Sequence, residues 1–313
     1  MNNQTMLVPL QQPIVFEIEG FDILPGSGPF FFLLALLFYM LVLLGNGTLS
    51  DPRLTSPMYF FLQNLSFVDL VYTTTTIPNM LAGFLMDQLT ISIPGCFLQM
   101  FFFTQLAVTG RAILTVMAYD RYLAVCNPLR YTAIMTRSVR MLLVTGAWGF
   151  GLLCTLPPTV LAFLRPYCGP NMVRHSWCDL SSVRTLACAD TSIDNVLSLS
   201  FAMVALLTTG VLILTSYFLI ATSMYQMGVP ERLKAFSTCA AHLTVVSISY
   251  SAASFVYISY RLMLLLLFQV RIIVSVLYSA LTPFLNPMIY SLRNKELYFN
   301  MFFKKKSIRP SSQ

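Results

Sequence analysis

The chain has 313 residues, of which 57% are hydrophobic and only 10% are charged, and its mean hydropathy is +0.72. Soluble domains carry about 25% charged residues, so this composition excludes an ordinary soluble protein and indicates an integral membrane protein. The formal net charge is +7, and we interpret it as membrane topology and lipid contact rather than nucleic-acid binding.

Residues 1–28 are predicted to form an extracellular tail. They contain Glu17, Glu19 and Asp22 but no basic start followed by a short apolar core, so we expect no cleavable signal peptide. The first apolar segment would then act as its own insertion signal. A glycosylation sequon begins at Asn3, which is the predicted acceptor.

Seven apolar segments follow the tail. They cover residues 29–50, 57–84, 96–125, 139–163, 193–226, 235–260 and 268–292. A run of about 20 apolar residues can cross the hydrocarbon as a helix, and a helix satisfies its own backbone hydrogen bonds where water is absent. The predicted fold class is therefore an all-α integral membrane protein, a bundle of seven transmembrane helices forming one domain over residues 29–292.

Positive charges orient this bundle. Of the 19 Lys and Arg residues, thirteen fall on one side when the segments alternate, five fall on the other, and Arg111 lies within the third segment. The more positive side is usually cytoplasmic, which places the N-terminus outside and residues 293–313 in the cytoplasm. We expect that basic tail to form a short amphipathic helix and to contact anionic lipid.

Four cysteines collect on the outer side. Cys96 begins the third segment, while Cys168, Cys178 and Cys188 lie in the loop between the fourth and fifth segments. The oxidising exterior permits disulfide bonds among them. Four cysteines allow three pairings, and their spacing alone does not choose between these.

Five short strings of sequence narrow the family. They are PMYFFLQNLSFVDL (57–70), MAYDRYLAVCNPLRYTAIM (117–135), SY (216–217), KAFSTCAAHLTVV (234–246) and PFLNPMIYSLRNKE (283–296). Together, in this order, they resemble the vertebrate olfactory (odorant) receptor family of rhodopsin-like G-protein-coupled receptors, from about Gly45 to Glu296. The resemblance implies a plasma-membrane receptor that binds a small organic odorant and activates a heterotrimeric G protein of the stimulatory olfactory type.

The resemblance also implies roles for single residues. Its disulfide bonds would be Cys96–Cys178 and Cys168–Cys188. A polar network between the first, second and seventh helices would contain Asn46, Asp69 and Asn286. The switch at the G-protein face would contain Asp120, Arg121, Tyr122, Tyr217 and Tyr290. An acid within the membrane is costly and faces the bundle interior, and an arginine released from its acid presents five donors to a partner.

The outer halves of the third, fifth, sixth and seventh helices would line the odorant site. In the sixth segment Tyr250, Ser254, Tyr257 and Arg261 are four, three and four residues apart, which places them on one helix face. The full predicted set is Phe103, Thr104, Ala107, Val108, Phe201, Ala205, Tyr250, Ser254, Tyr257, Arg261, Val276 and Ser279. Most are apolar or aromatic, as suits a poorly polar ligand. Arg261 predicts a preference for acidic ligands; the alternative is that it reaches the outer lipid headgroups.

Three features depart from the family pattern. The stretch between Asn46 and Pro57 is several residues shorter than in the family. Gly110 stands where the family usually carries an acid, and Arg111 follows it, which weakens any sodium site involving Asp69. Residues 261–271 are more apolar than expected for the third outer loop.

Two other classes of function are less consistent with this sequence. A transporter or channel is disfavoured because transmembrane charge is sparse and no inverted repeat is visible. Another rhodopsin-like receptor remains an alternative, although an amine receptor would need an acid in the outer half of the third helix, and residues 97–109 contain none. No enzyme, cofactor, metal site or catalytic residue is predicted, because His175 and His242 lie on opposite sides of the membrane and no phosphate loop or nucleophile motif occurs.

Overall fold

The protein is described from a computed structural model. It describes residues 15–19, 28–49, 56–86, 89–168, 171–261 and 268–293. Within these ranges only the backbone is described at 48–49, 256–261, 268–275, 277–278 and 291–293. Asn3, the six residues at 262–267 and the predicted tail helix after residue 293 lie outside the described residues.

Helices dominate the described residues. In chain order they are α1 (Gly28–Leu49), α2 (Pro57–Leu85), α3 (Ile93–Cys126), α4 (Tyr131–Ile134), α5 (Arg137–Phe163), α6 (Leu180–Arg184), α7 (Ser192–Tyr225), α8 (Val229–Arg261) and α9 (Phe268–Arg293). The seven long helices of this described set coincide with the seven predicted segments. α8 differs most, because it begins six residues earlier, at a polar turn that hydropathy does not mark as helix. The single-turn helices α4 and α6 were not predicted.

Four of the described helices are long and apolar enough to cross a membrane. They cover Gly28–Gly47, Ile93–Cys126, Arg137–Phe163 and Ser192–Tyr225. Together with their exposed leucine, valine and phenylalanine side chains, especially on α1 and α7, they indicate a membrane protein. α1 is 22 residues long, so the shortened stretch after Asn46 still leaves a helix of spanning length.

Local sequence sets where several helices begin. Ser92 and Thr136 are N-caps whose hydroxyls accept hydrogen bonds from the backbone N–H groups of Gly95 and Val139. Proline in the first turn of α2 and α3 loses no hydrogen bond there, since those N–H groups have no partner within the helix. These caps fix the starts of the helices that carry the candidate site.

α3 is the central helix of the bundle. It packs against α2, α5, α7 and α8, and its middle turns bury Ile113, Leu114 and Met117 in the main apolar core. Helix association within lipid depends on close packing and interhelical hydrogen bonds rather than on hydrophobic burial. The interface with α5 uses both: Gln105 donates to the backbone oxygen of Trp148 at 3.2 Å and accepts from Thr155 at 2.9 Å.

A small three-stranded sheet lies beside the start of α3, and the all-α prediction omitted it. Strand β1 (Val15–Ile18) is central, antiparallel to β2 (Leu89–Ser92) and parallel to β3 (Met172–Val173). Strands of two to four residues carry no readable period, and their partners are far away in sequence. Neither the residue types nor the periodicity of the sequence therefore predicts these strands.

The sheet closes over a second apolar core. Phe16 of β1 is fully buried, and its ring meets that of Tyr167 edge to face, with centroids 5.5 Å apart. Cys96, Cys178 and Val183 are buried in the same cluster. The N-terminal segment is thus packed onto the disulfide-bonded loops.

Replacing Gly151 with alanine should destabilise the bundle. The added methyl group would collide with Thr109 Oγ1 and lie 3.2 Å from the Gln105 amide, where α5 crosses α3. Overpacking of this kind costs about 1–3 kcal/mol, which would appear as a lower midpoint of thermal unfolding in detergent. Gly149→Ala is the matched control, since its methyl group meets nothing within 4 Å. A control that loses as much stability would contradict the proposed close approach.

Candidate functional site

The C-terminal end of α3, which the predicted topology places on the inner side, carries a buried charged pair. Arg121 Nη2 lies 3.6 Å from Asp120 Oδ2, and both residues are buried. The hydroxyl of Tyr131, on α4, donates a hydrogen bond of 2.7 Å to Asp120 Oδ1. Burial and the neighbouring carboxylate raise the pKa of Tyr131, so its phenol stays protonated as the donor. Asp120 is thus held from two sides, by a cation and by a neutral donor.

A second polar contact joins α3, α7 and α8 nearby. His242 Nε2 lies 2.9 Å from the backbone oxygen of Leu114, and its Nδ1 lies 2.7 Å from the hydroxyl of Tyr217. A carbonyl oxygen can only accept, so Nε2 carries the proton and Nδ1 accepts from Tyr217. Tyr217 is therefore engaged by His242 rather than by Arg121.

Tyr290 and Tyr122 complete the set at this end. Tyr290, on α9, is buried, and its hydroxyl has no hydrogen-bond partner among the residues that the structure describes. The ring of Tyr122 is half-buried and stands 6.3 Å from that of Tyr119. A buried hydroxyl with an unused donor is available for a bond in another arrangement of the helices.

The predicted polar network occupies the middle of the bundle. Asn286 Nδ2 donates to Asp69 Oδ2 at 2.7 Å, which joins α9 to α2. Asn46 Nδ2 donates to the backbone oxygens of Val42 and Pro283, each at 3.0 Å, which joins α1 to α9. All three polar side chains are buried. Asn46 and Asp69 are connected through α9 by these bonds.

Aromatic rings form a column above this network. Phe103 of α3 stacks on Tyr72 of α2 with centroids 4.9 Å apart. It also meets Trp177, in the loop between α5 and α7 that the predicted topology places outside, at 5.2 Å. Trp177 in turn contacts His175 at 4.4 Å. The loop between α5 and α7 therefore reaches down to a predicted odorant-site residue.

Further along α3, at the level of Thr115, a hydrogen bond joins α8 to α7. Tyr250 donates its hydroxyl to Thr209 Oγ1 at 2.6 Å. Val108 and Ala205 pack with Cys154 in a small apolar cluster. Thr104 and Ser279 return their hydroxyls to backbone oxygens one turn away, Met100 and Val276 respectively. They are therefore less able to offer a donor to a ligand.

Covalent and ionic links hold the outer loop. Both disulfide pairs implied by the resemblance, Cys96–Cys178 and Cys168–Cys188, are present. Arg165 at the end of α5 donates two hydrogen bonds of 2.7 Å to Asp194 of α7, and these bonds raise the pKa of Arg165. Arg184 donates to Asn195 and Ser198, although burial lowers its pKa. The loop is thus fixed to the start of α7.

Comparison with known proteins decides the family. A family model described as olfactory receptor matches residues 35–305. The chain belongs to the olfactory receptor family. It is 41% identical to human olfactory receptor 13C9 over 305 residues, which is 94% of each chain. It is also 44% identical to mouse olfactory receptor 5G25 over 276 residues, 85% of each, and 43% identical to human olfactory receptor 6N1 over 288 residues.

The structure of this olfactory receptor family member gathers some predicted residues more closely than others. Of the predicted odorant-site residues, Ala107 lines a cavity of about 40 Å³, and Asp69 also lines it. Phe103 contacts Tyr72 and Trp177, whereas Val108 packs with Ala205 further along α3. Tyr250 bonds Thr209, whose backbone oxygen accepts from Thr115 of α3, so these predicted residues are spread along the helix rather than gathered at one level. Phe201, Ser254 and Val276 are half-buried, and the side chains of Tyr257 and Arg261 lie outside the described residues.

Sequence reasoning missed several partners in this olfactory receptor. Tyr131, Trp177 and Thr209 were not singled out, and the bonds formed by His242 were not predicted. Each forms its contact with a residue far away in sequence or across a turn, where helical spacing gives no guidance. The tyrosine and histidine bonds could be found only once the helices were placed side by side.

Proposed function

We propose that the protein is an odorant receptor of the plasma membrane. Seven helices cross the bilayer, with the N-terminus outside and residues 293–313 in the cytoplasm. A small organic odorant binds among the outer halves of α3, α7, α8 and α9. A stimulatory heterotrimeric G protein of the olfactory type binds the inner face. Family membership supports the general function, and the geometry below supports the two sites.

The observation that supports this proposal is that α3 carries residues of both proposed sites. Cys96 and Phe103 belong to its outer half, and Asp120 with Arg121 lies at its inner end. Cys96 and Arg121 are separated by 25 residues, which corresponds to about 37 Å at 1.5 Å per residue. This length exceeds the hydrocarbon thickness of about 30 Å. One rigid helix therefore links an outer aromatic region to an inner charged pair.

The proposed inner switch has two arrangements. In the described one, Asp120 holds Arg121, and Tyr217 is bonded to His242. Release of Arg121 from Asp120 would free its guanidinium to bind backbone oxygens of a G protein. Tyr217 and Tyr290 would then offer hydroxyls to the rearranged arginine. Two alternative sets of bonds are what a ligand needs in order to shift a population.

The direct test is an odorant screen. Cells producing the receptor with an extracellular tag would be exposed to mixed odorants, and cAMP would be measured against surface level. A dose-dependent rise that disappears when the stimulatory G protein is deleted, and returns when it is restored, is the expected result. A response that survives that deletion would contradict the proposed coupling, and a receptor at normal surface level that ignores a broad odorant panel would contradict the proposed ligand class.

Tyr131→Phe should raise ligand-independent cAMP several-fold. The change removes the donor to Asp120 Oδ1 and leaves the ring in place. A hydrogen bond to a charged group contributes about 1.5–3 kcal/mol, so the resting arrangement loses part of its advantage. Basal cAMP normalised to surface level measures this. Tyr119→Phe is the control, because Tyr119 is an exposed tyrosine next to Asp120 on α3, and it should leave basal cAMP unchanged. Equal effects from both variants would refute the assignment.

Arg261 is proposed to favour odorants with an acidic group. It is the last residue of α8, three turns beyond Tyr250 on the predicted ligand face. Arg261→Ala should weaken responses to carboxylic acids roughly ten- to hundred-fold, since the lost charge-assisted bond contributes ~1.5–3 kcal/mol. Matched alcohols and amines are the controls. If the potency order ignores the head group, Arg261 reaches lipid instead.

A further inference from the structure

The turn between α7 and α8 is spanned by the side chain of one arginine. α7 ends at Tyr225 and α8 begins at Val229, so a very short turn joins two long helices. Arg232, in the first turn of α8, reaches back across it. Its Nε donates a hydrogen bond of 3.1 Å to the backbone oxygen of Met224. Its Nη2 donates to the backbone oxygens of Tyr225 and Met227 at 3.3 and 3.2 Å.

The acceptors of these bonds suit a guanidinium. The last four carbonyl groups of a helix have no partner within it, and they form the negative end of the helix dipole. Met224 and Tyr225 are the last two residues of α7. A guanidinium presents several donors in a fixed plane, whereas an ammonium is a single flexible point of charge. Arg232 can therefore bind neighbouring carbonyl oxygens together and fix the direction in which α8 leaves α7.

α7 and α8 are also joined deeper in the bundle. The hydroxyl of Tyr217 on α7 lies 2.7 Å from His242 Nδ1 on α8. His242 is ten residues beyond Arg232, which corresponds to about 15 Å along the helix. That contact also involves α3, because His242 Nε2 bonds the backbone oxygen of Leu114. The bonds of Arg232 end on α7 and the turn alone, so they act only on the separation of these two helices.

That separation matters for the proposed inner site. The proposed active arrangement requires Arg121 to become reachable from the cytoplasm, yet only 8% of its surface is exposed. At least one helix beside the inner end of α3 must therefore move, and α3 contacts both α7 and α8. Moving the start of α8 away from α7 breaks the bonds of Arg232. Moving the two helices together preserves them.

We propose that Arg232 is a clasp that holds the inner ends of α7 and α8 together and opposes their separation during signalling. This inference rests on the proposed coupling to a G protein and adds a residue that limits it. Arg232 is a positioning residue, because it acts through the placement of α8 rather than by touching the odorant. Removing the clasp shifts the population towards the open arrangement even without odorant.

Basal cAMP, normalised to surface level, tests the effect on signalling. Arg232→Met removes all the donors and should raise basal cAMP several-fold. Arg232→Lys keeps the charge but cannot bind all three oxygens, so it should lie between methionine and wild type. Lys234→Met is the matched control, since Lys234 is an exposed cation at the same end of α8. Unchanged or lower basal cAMP in Arg232→Met, or an equal rise in Lys234→Met, would overturn the clasp.

A distance measurement tests the clasp without odorant or G protein. Spin labels would be placed at the exposed positions Leu214 on α7 and Leu233 on α8, in the purified full-length receptor with its free cysteines replaced by alanine. Double electron–electron resonance in nanodiscs should give one narrow distance without further substitution and with Lys234→Met. Arg232→Met should add a longer distance. An unchanged distribution would refute the clasp. A longer distance with no cAMP response in any variant would support the clasp and contradict the proposed coupling.

Discussion

Replacing Cys178 with serine should remove most of the receptor from the cell surface. Cys178 and its disulfide partner Cys96 are both fully buried in the outer apolar core. The backbone N–H of Cys178 also donates to Gln99 Oε1 at 3.0 Å. The substitution therefore leaves an unpaired thiol and releases the loop that brings Trp177 against Phe103. Loss of a native disulfide bond costs about 2–5 kcal/mol in small domains, which is a large share of ordinary folding stability.

Flow cytometry of an extracellularly tagged receptor measures this effect. Cys126→Ser is the matched control, because Cys126 is a free cysteine at the opposite end of α3, and its surface level should stay near that of the wild type. The double variant Cys96→Ser/Cys178→Ser should be no worse than either single variant, since all three lose the same bond. Normal surface level together with a normal odorant response in Cys178→Ser would refute the structural role of this disulfide.

Arg121→Ala should abolish odorant-evoked cAMP while leaving the receptor at the surface. The side chain is buried beside Asp120 at the inner end of α3, and in the proposed active arrangement it meets the G protein. Alanine cannot replace the planar five-donor group. The complementary variant Asp120→Asn should raise basal cAMP, because it keeps the shape but removes the negative charge that holds Arg121.

Concentration–response curves normalised to surface level are the measurement. Arg121→Lys keeps the positive charge but loses the forked geometry, so its maximal response should fall between wild type and alanine. Arg174→Ala, at an exposed arginine of the outer loop, should respond as the wild type does. An Arg121→Ala receptor present at the surface that still raises cAMP normally would show that α3 signals through other residues.

The long helices were predictable because each coincides with a long apolar segment, and a membrane imposes a minimum length and an apolar composition on a helix that crosses it. The starts of α2, α3 and α5 could be predicted from the proline, serine and threonine residues at their N-terminal ends. β1 could not be predicted in the same way, since four residues such as Val15–Ile18 become a strand only when two distant loops supply partners.

The candidate site shows the same division. Motif resemblance located Asp120, Arg121 and Tyr217, yet it did not indicate that Tyr131 bonds the acid or that His242 bonds Tyr217. These bonds depend on how α3, α4, α7 and α8 are rotated about their axes, and hydropathy is insensitive to that rotation. Composition likewise revealed Arg111 as a membrane cation, but only the packed helices put it beside the cavity of Asp69.

The central position of β1 has a consequence for the order of synthesis. In the proposed topology the N-terminal segment leaves the ribosome first and enters the lumen of the endoplasmic reticulum before either of its partner strands exists. β2 follows only after α2, and β3 only after α5. β1 therefore lacks its second partner strand until more than half of the helices have been synthesised. In that topology the predicted acceptor Asn3 would be accessible to the glycosylation machinery during this interval, which ends when the last strand is made and Phe16 enters its core.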